Sequence, residues 1–515
     1  MTRRGLMSAA VVRSFRHRNY RLFYGGQLVS LIGTWMQSMA QAWLVLTLTG
    51  DPFDLGLVAA VQFVPVLLFG LFGGVIADAL PKRQTLIAAQ VAMMTFAFVL
   101  GALTLAGVVE VWMIVVLAFL LGCANAIDMP VRQSFVVEMV GREDVANAVA
   151  LNSAMFNAAR VIGPAVAGFT IALTGTGIAF MLNGLSFLAV IWALLAMRDS
   201  ELRSVDLGPR PGTVRAVGEN LAEGLRYVRR TPIVLLAVVV VGAVSTAGMN
   251  FTVVFPAFAR DTLGTGAAGY GILMSSFGVG AVLAALALAV RGRANAWAIV
   301  GGALLLGLAE IAIAPTRELG FAVLLGVLVG AGGVTMAANG NSTIQVSVPD
   351  RLRGRVMSVY TTVFVGSTPI GGLATGAVAS AVGVPAAIAL GGAISVIAGL
   401  AGAVWLRSIR ARERRVGRST PTALDAWVEF PGADETHYCD LLEGGWRWVS
   451  SPIRGACRDG TTTRRARTSC SSRPRAADRS QRCPSTADPR ASGRTAPALD
   501  PALPRSSRSR PARVP

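Results

Sequence analysis

The chain has 515 residues, 53% of them hydrophobic and only 15% charged, against roughly a quarter charged in soluble domains. A mean hydropathy of +0.57 and 57 glycines fit membrane helices and exclude a cytosolic enzyme core, a disulfide-rich secreted scaffold and a disordered chain. The formal net charge of +19 is no nucleic-acid signature, because residues 1–407 carry +9 and residues 408–515 carry +10; half of the excess is a C-terminal tail and most of the rest sits in one set of loops.

The N-terminus offers Arg3, Arg4 and Arg13 but no apolar stretch ending in a small-residue cleavage site, so the first apolar segment is expected to stay as an anchor. A bilayer core of about 30 Å takes roughly 20 apolar residues per helix. Measured that way, the sequence reads as an all-α polytopic membrane protein with twelve spans, at about 22–48, 54–77, 84–105, 111–135, 146–173, 177–197, 233–259, 268–290, 295–314, 319–347, 356–382 and 384–406. Basic residues collect in alternate connections: Arg16, Arg18 and Arg21, then Lys82 and Arg83, Arg142, Arg198 to Arg230, Arg291 and Arg293, and Arg351, Arg353 and Arg355. The other connections hold Asp51, Asp54 and Glu110, Arg260 beside Asp261, and Arg317 beside Glu318. The positive-inside rule then places both termini in the cytoplasm of a cell in whose inner or plasma membrane the protein resides.

The longest internal polar stretch contains Pro209, Pro211 and Gly212 and then an amphipathic run, Val217 to Val228. It divides the chain into an N-terminal six-helix bundle (1–197), a linker (198–231), a C-terminal six-helix bundle (232–407) and a basic tail (408–515), which is expected to be disordered. The halves repeat: a shift of 208 residues carries Phe69-Gly70 onto Phe277-Gly278, Gly122 onto Gly330, Ser134 onto Ser342, Phe156 onto Phe364, Gly163 onto Gly371 and Gly168 onto Gly376. One offset shared by three helix pairs indicates two parallel six-helix repeats, the architecture of the major facilitator superfamily.

Several stretches narrow the resemblance. Phe15-Arg16-His17-Arg18-Asn19-Tyr20-Arg21-Leu22-Phe23 and Ser30-Leu31-Ile32-Gly33-Thr34-Trp35-Met36 open the chain; Asp128-Met129-Pro130-Val131-Arg132-Gln133 and Ala148-Val149-Ala150-Leu151-Asn152-Ser153 follow. Val348-Pro349-Asp350-Arg351-Leu352-Arg353-Gly354-Arg355-Val356-Met357-Ser358 and Gly366-Ser367-Thr368-Pro369-Ile370-Gly371 complete the set. Over about residues 13–406 the chain resembles the enterobactin-exporter-like, or transmembrane secretion effector, branch of that superfamily. The resemblance implies a secondary active transporter: a proton-coupled exporter of small lipophilic or siderophore-like molecules, an antiporter of the kind that confers drug resistance, working by alternating access.

Two superfamily motifs are present in altered form. Gly74 and Asp78 followed by Lys82 and Arg83 resemble the gating loop between spans two and three, with Ala79 and Pro81 where the pattern has Arg and Gly; an acid at one helix end can pair with the positive N-terminus of another, or the loop can be a plain topogenic turn. Gly163-Pro164-Ala165-Val166-Ala167-Gly168 is similar to the antiporter motif of drug/proton exchangers, with Ala167 for one Gly and Ala159 for an upstream Gly. Small residues along one face permit close backbone packing and the proline bends the helix; an ordinary kinked helix contact would read the same.

Polar residues in span one recur at helical spacing: Gln27, Ser30, Thr34, Gln37, Ser38 and Gln41. Such a stripe faces either a substrate cavity or protein partners as hydrogen-bond glue. Thr246 and Asn250 in span seven and Thr335, Asn339, Ser342 and Thr343 in span ten repeat it more faintly, and in the resembled fold spans one, four, seven and ten line the central cavity.

Charges within spans cost about 2.5–3.5 kcal/mol each on insertion scales and so ask for a role. Arg160 shares a face with Ser153 and Asn157 and offers either an anion-binding group or a structural ion pair reaching toward Asp128. Asp128 and Arg132 are four apart, the favourable pairing order, with Asn125 one turn earlier; they form either a proton-coupling site or a static pair. Glu310 is read as interfacial, near the outer end of span nine.

His17 and His437 are the only histidines, and Cys123, Cys439, Cys457, Cys470 and Cys483 show no CxxC spacing, so neither metal nor cofactor is expected. No HExxH, Walker loop or GxSxG with partners appears, which argues against an enzyme. The expected partners are a small-molecule substrate, the lipid bilayer and protons, with no nucleic acid, for a monomer. A transporter-like scaffold or sensor acting through the tail is the alternative.

Overall fold

The structure is a computed structural model that describes residues 13–70, 81–203, 214–291, 294–419, 437–442 and 445–450. After a short 3-10 turn at Arg13–Arg16 come α1 (Arg18–Thr49), α2 (Pro52–Gly70), α3 (Lys82–Leu105), α4 (Val111–Val140) and α5 (Val145–Leu195). The linker contributes α6 (Val214–Arg230). The second half holds α7 (Pro232–Ala247), α8 (Phe251–Ala257) with a π turn at Phe258–Thr262, α9 (Gly266–Arg291), α10 (Ala296–Ile313), α11 (Leu319–Ser347), α12 (Asp350–Val382) and α13 (Val384–Ser419).

Among the described residues ten segments are long and apolar enough to cross a membrane. The 51 residues of α5 are broken at Gly175, whose φ of 81° and ψ of 174° are non-helical, so this one segment supplies spans five and six; glycine adopts that backbone without a Cβ penalty. Span one is α1, 32 residues long, whose apolar content is diluted by its own glutamines, serines and threonines. Twelve crossings result. Span seven is α7, α8 and the π turn together, interrupted at Gly248–Asn250.

The repeat is visible in what its glycines touch. Gly122 on α4 lies against the Gln62 carbonyl of α2, and Gly330 on α11 lies against the Phe277 carbonyl of α9. Gly163 on α5 meets Trp35 of α1, while Gly371 on α12 meets the Thr246 carbonyl and Asn250 of span seven. Gly168 meets Gly271 of α9, and Gly376 meets Pro52 and Phe53 of α2. The shared offset thus marks positions where the same pair of helices touches in each half. The last pair forms the seam between the halves, α5 on α9 and α2 on α12.

α13 continues as helix to Ser419. In the separate unit Leu424–Pro515, strands β1 (His437–Leu442) and β2 (Gly445–Ser450) pair antiparallel with His437 opposite Ser450; the remainder of the tail lies outside the described residues.

A side chain at these glycines has no free volume to enter, and overpacking costs roughly 1–3 kcal/mol. Gly122→Val and Gly330→Val are each expected to lower the thermal unfolding midpoint in detergent, whereas Gly301→Val, at a position with open space around it, should leave it unchanged.

Candidate functional site

A cavity of about 710 Å³ opens between the halves. Its walls are Val66 and Leu67 of α2, Ala126, Met129, Pro130 and Gln133 of α4, Asn220 and Leu221 of α6, and Arg351, Gly354, Arg355, Met357, Ser358, Thr361, Thr362 and Val365 of α12. All lie toward the face that carries the basic loops. Toward the opposite face the halves are closed. There α8 packs on α1 and α2, and Arg260 donates from Nη1 to the Leu46 carbonyl (2.8 Å) and from Nη2 to the Gly50 carbonyl (3.1 Å) while pairing with Asp261 at 2.5 Å.

The span-one stripe divides by partner. Asn183 Nδ2 donates to Gln37 Oε1, joining span six to span one, and Gln41 Nε2 donates to Gln62 Oε1 of α2 at 3.1 Å. Both glutamines are buried. Ser30 is buried and its carbonyl accepts from the Thr34 hydroxyl at 2.9 Å; Thr34 is exposed. Gln27 is buried with Oε1 unpartnered. Asn125 and Asn157 donate to carbonyls one turn earlier, of Leu121 and Ser153. Asn339 is buried, donates to the Thr335 carbonyl and accepts from the Asn295 backbone N–H at 3.2 Å, securing the start of α10. Asn250 donates to the Thr246 carbonyl (2.7 Å) and to Thr375 Oγ1 (3.1 Å) across to α12. None of these residues is on the 710 Å³ wall, which draws instead on spans two, four and eleven and the linker.

Arg160 does not bond Asp128. Its guanidinium lies 4.5 Å from the Phe277 ring centroid and 6.0 Å from that of Trp35, cation–π distances, and its Nε is buried without a hydrogen-bond partner. Asp128 is fully buried, pairs with Arg132 at 2.5 Å and accepts from Gln90 Nε2 of α3 at 2.9 Å. It precedes Met129 and Pro130 of the cavity wall in the chain and is not itself on that wall.

Of the gating loop, Gly74 and Asp78 lie outside the described residues. Lys82 pairs with Glu138 of α4 at 2.5 Å, and Arg83 pairs with Asp199 and donates to the carbonyls of Leu194 (2.8 Å) and Leu195 (3.1 Å). The two cations therefore tie the start of span three to the ends of spans four and six. Of the antiporter-like residues, Pro164 and Gly168 lie on the seam, where the Pro164 carbonyl and Gly168 face Gly271, while Gly163 receives Trp35 of span one within its own half.

Two groups gave little signal in the sequence. Glu310, read as interfacial, is 3% exposed with Oε2 unpartnered; the helical phase, not the depth, decides, because its side chain turns into the bundle. Asp144, in the loop before α5, is fully buried among Arg13, Arg16 at 2.8 Å and His17 at 2.8 Å. The opening motif has a structural use here. Tyr20 donates to the Ala148 carbonyl and Asn152 Oδ1, Asn19 to the Arg198 carbonyl and Arg18 to the Ala196 carbonyl, bracing the ends of spans five and six.

Residues 9–424 match the family described as transmembrane secretion effector. The chain belongs to this family of major facilitator transporters. The multidrug efflux pump Tap of Mycolicibacterium fortuitum is 28% identical over 69% of this chain and 87% of its own. The staphyloferrin A transporter of Staphylococcus aureus is 22% identical over 52% of this chain and 66% of its own. A solved structure of a bacterial homolog to the human lysosomal transporter Spinster, inward-facing and unoccupied, superposes with a TM-score of 0.57 at 15% identity, covering 76% of this chain and 95% of that one, which shows the fold. The protein is a multi-pass membrane transporter, not an enzyme.

Burial alone would raise the Asp144 carboxyl, but hydrogen bonds from His17 and Arg13 and the charges of Arg13 and Arg16 outweigh it and hold the group below the usual carboxylate range. A lowered value means that the ion cluster stabilises the fold above the ordinary carboxylate range and loses that contribution as pH falls through the lowered value. Asp144→Asn should therefore lower the unfolding midpoint at neutral pH, and the gap from the unsubstituted protein should close on acidification.

Proposed function

We propose that this transporter exports small lipophilic or siderophore-like molecules by alternating access, driven by proton entry. The observation that carries the reading is the 710 Å³ cavity, within the roughly 300–1,000 Å³ usual for small-molecule sites, walled by both halves and closed at the end away from the basic loops. Its apolar residues, Val66, Leu67, Met129, Met357 and Val365, suit a lipophilic body, and Gln133, Ser358, Thr361 and Thr362 supply hydrogen bonds. The efflux-pump and siderophore-transporter relatives support the same direction and cargo.

In this reading the basic face is cytoplasmic and cargo enters there. It then moves toward Thr34, Asn157 and Arg160, where the free Nε of Arg160 recognises an acidic or catecholic group. Asp128 couples the cycle: as an anion it is held by Arg132 and Gln90 while the cavity is open to the basic face, and a proton arriving when the other side opens neutralises it and permits the return.

Impermeant thiol reagents on a cysteine-free background test the orientation. Thr176→Cys and Arg317→Cys should label from outside intact cells, and Gln84→Cys and Arg353→Cys should not; the reverse pattern overturns it. Metabolite profiling of cells and medium with and without the protein identifies the cargo. In proteoliposomes carrying that cargo, Asp128→Asn should lose pH-gradient-driven accumulation while downhill exchange persists, and Asp128→Glu should retain part of the driven transport. Accumulation by Asp128→Asn equal to that of the unsubstituted protein removes Asp128 from the coupling step.

A further inference from the structure

Among the described residues, the two buried carboxylates of the spans are housed in opposite ways. Asp128 has Arg132 and Gln90. Glu310, on α10 in the other half, has no cation against it, and its Oε2 is sealed from solvent with no hydrogen-bond partner. The helices packed on α10 are α7, α11 and α13. Neither α7, α8 nor α11 contains a titratable residue; on α13 the charged residues begin at Arg407, and on α12 the titratable residues end at Tyr360, both toward the basic face. The charges at the end nearer Glu310 are Arg260 and Asp261, which pair with each other, Arg317 and Glu318 in the loop beyond α10, and Asp51, Asp54 and Glu110 in the connections of the other half.

Glu310 also sits at a mechanical weak point. It borders a void of about 10 Å³ together with Gly248, Asn250, Phe251, Thr375 and Gly391, at the lower limit for one water molecule. Gly248 and Asn250 are the break in span seven, and a Cβ at Gly248 would stand 3.1 Å from Glu310 Oε2. Beyond the break, α8 is the segment that closes on α1 and α2, and Asn250 ties the break to Thr375 of α12. One water's room cannot hydrate an anion, and an ionised carboxylate buried without a cation or sufficient hydrogen bonds is strongly disfavoured. The charged form therefore calls for water, which opening of this break would admit.

We propose that Glu310 is a second proton-binding site: it holds a proton while the halves are closed at the end opposite the basic loops, and loss of that proton opens the break in span seven. The closed state is then favoured at low pH and lost as pH rises. A single linked proton changes the closed-to-open ratio by up to ~10-fold per pH unit. This site acts whether or not Asp128 couples transport, because its effect is on conformation and is read without cargo.

The test uses the full-length, cysteine-free protein in lipid nanodiscs, with spin labels at Asp51→Cys and Ser380→Cys, which flank the seam at that end. Distance distributions across a pH series should show the closed population falling as pH rises, in the parent and equally in Asp128→Asn. Glu310→Gln should stay closed at every pH. A Glu310→Gln protein that titrates like its parent overturns the proposal, as does a closed-to-open ratio that follows sodium at fixed pH. Infrared spectra of the parent should show a protonated-carboxyl band at neutral pH that survives Asp128→Asn. Absence of that band from the parent overturns the proposal even if Glu310→Gln fails to fold.

Discussion

Two six-helix bundles in a bilayer meet without much hydrophobic gain, since lipid is as apolar as leucine, and what holds them together is close packing and the polar groups that lipid cannot satisfy. Everything else in the structure follows from where side chains are absent. Gly168 against Gly271 and Gly376 against Pro52 let backbones touch along the seam, and the Ser275 hydroxyl bonds the Val161 carbonyl at 3.0 Å in the same contact. The seam is tight where these residues are and widens into the cavity where Met129 and Met357 replace them.

Charge is distributed to match. At the basic face the ion pairs tie neighbours within one half, Lys82 to Glu138 and Arg83 to Asp199, or the linker to span eleven, Arg355 to Glu223. At the opposite end Arg260 crosses from span seven to the carbonyls that end span one. One face is thus braced within each half and the other is latched between halves, an arrangement suited to rocking.

The span count, the internal repeat and the loop-charge asymmetry were legible in the sequence because each rests on a period or a sum: a 20-residue apolar length, a constant offset, a tally of arginines. Gly122, Gly163 and Gly168 and their offset partners Gly330, Gly371 and Gly376 are contact points because close approach is a local steric demand that sequence records directly. The cavity wall was not legible. Met129, Met357 and Thr361 look like ordinary span residues, and only the folded arrangement of α4 and α12 brings them to one space. The polar stripe of span one showed its face but not its partners, and Gln37 and Gln41 bond Asn183 and Gln62, residues 146 and 21 positions away. Glu310 reads as interfacial in the sequence yet is buried for a related reason: depth along a helix can be counted from sequence, while the direction a side chain faces depends on neighbours that it does not name.

The reversal at Gly175 leaves almost no loop between spans five and six. Span five carries Gly168 of the seam, span six carries Asn183, and Asn183 grips Gln37 of span one. Spans one, five and six are therefore geared as a single lever whose fulcrum is the seam. A displacement of a few ångströms where Gly168 meets Gly271 would be delivered, undiminished by any slack connection, to the far ends of all three helices, where Tyr20 and Asn19 fasten them. Lengthening that turn by a few residues would leave every contact chemically intact and yet uncouple the lever.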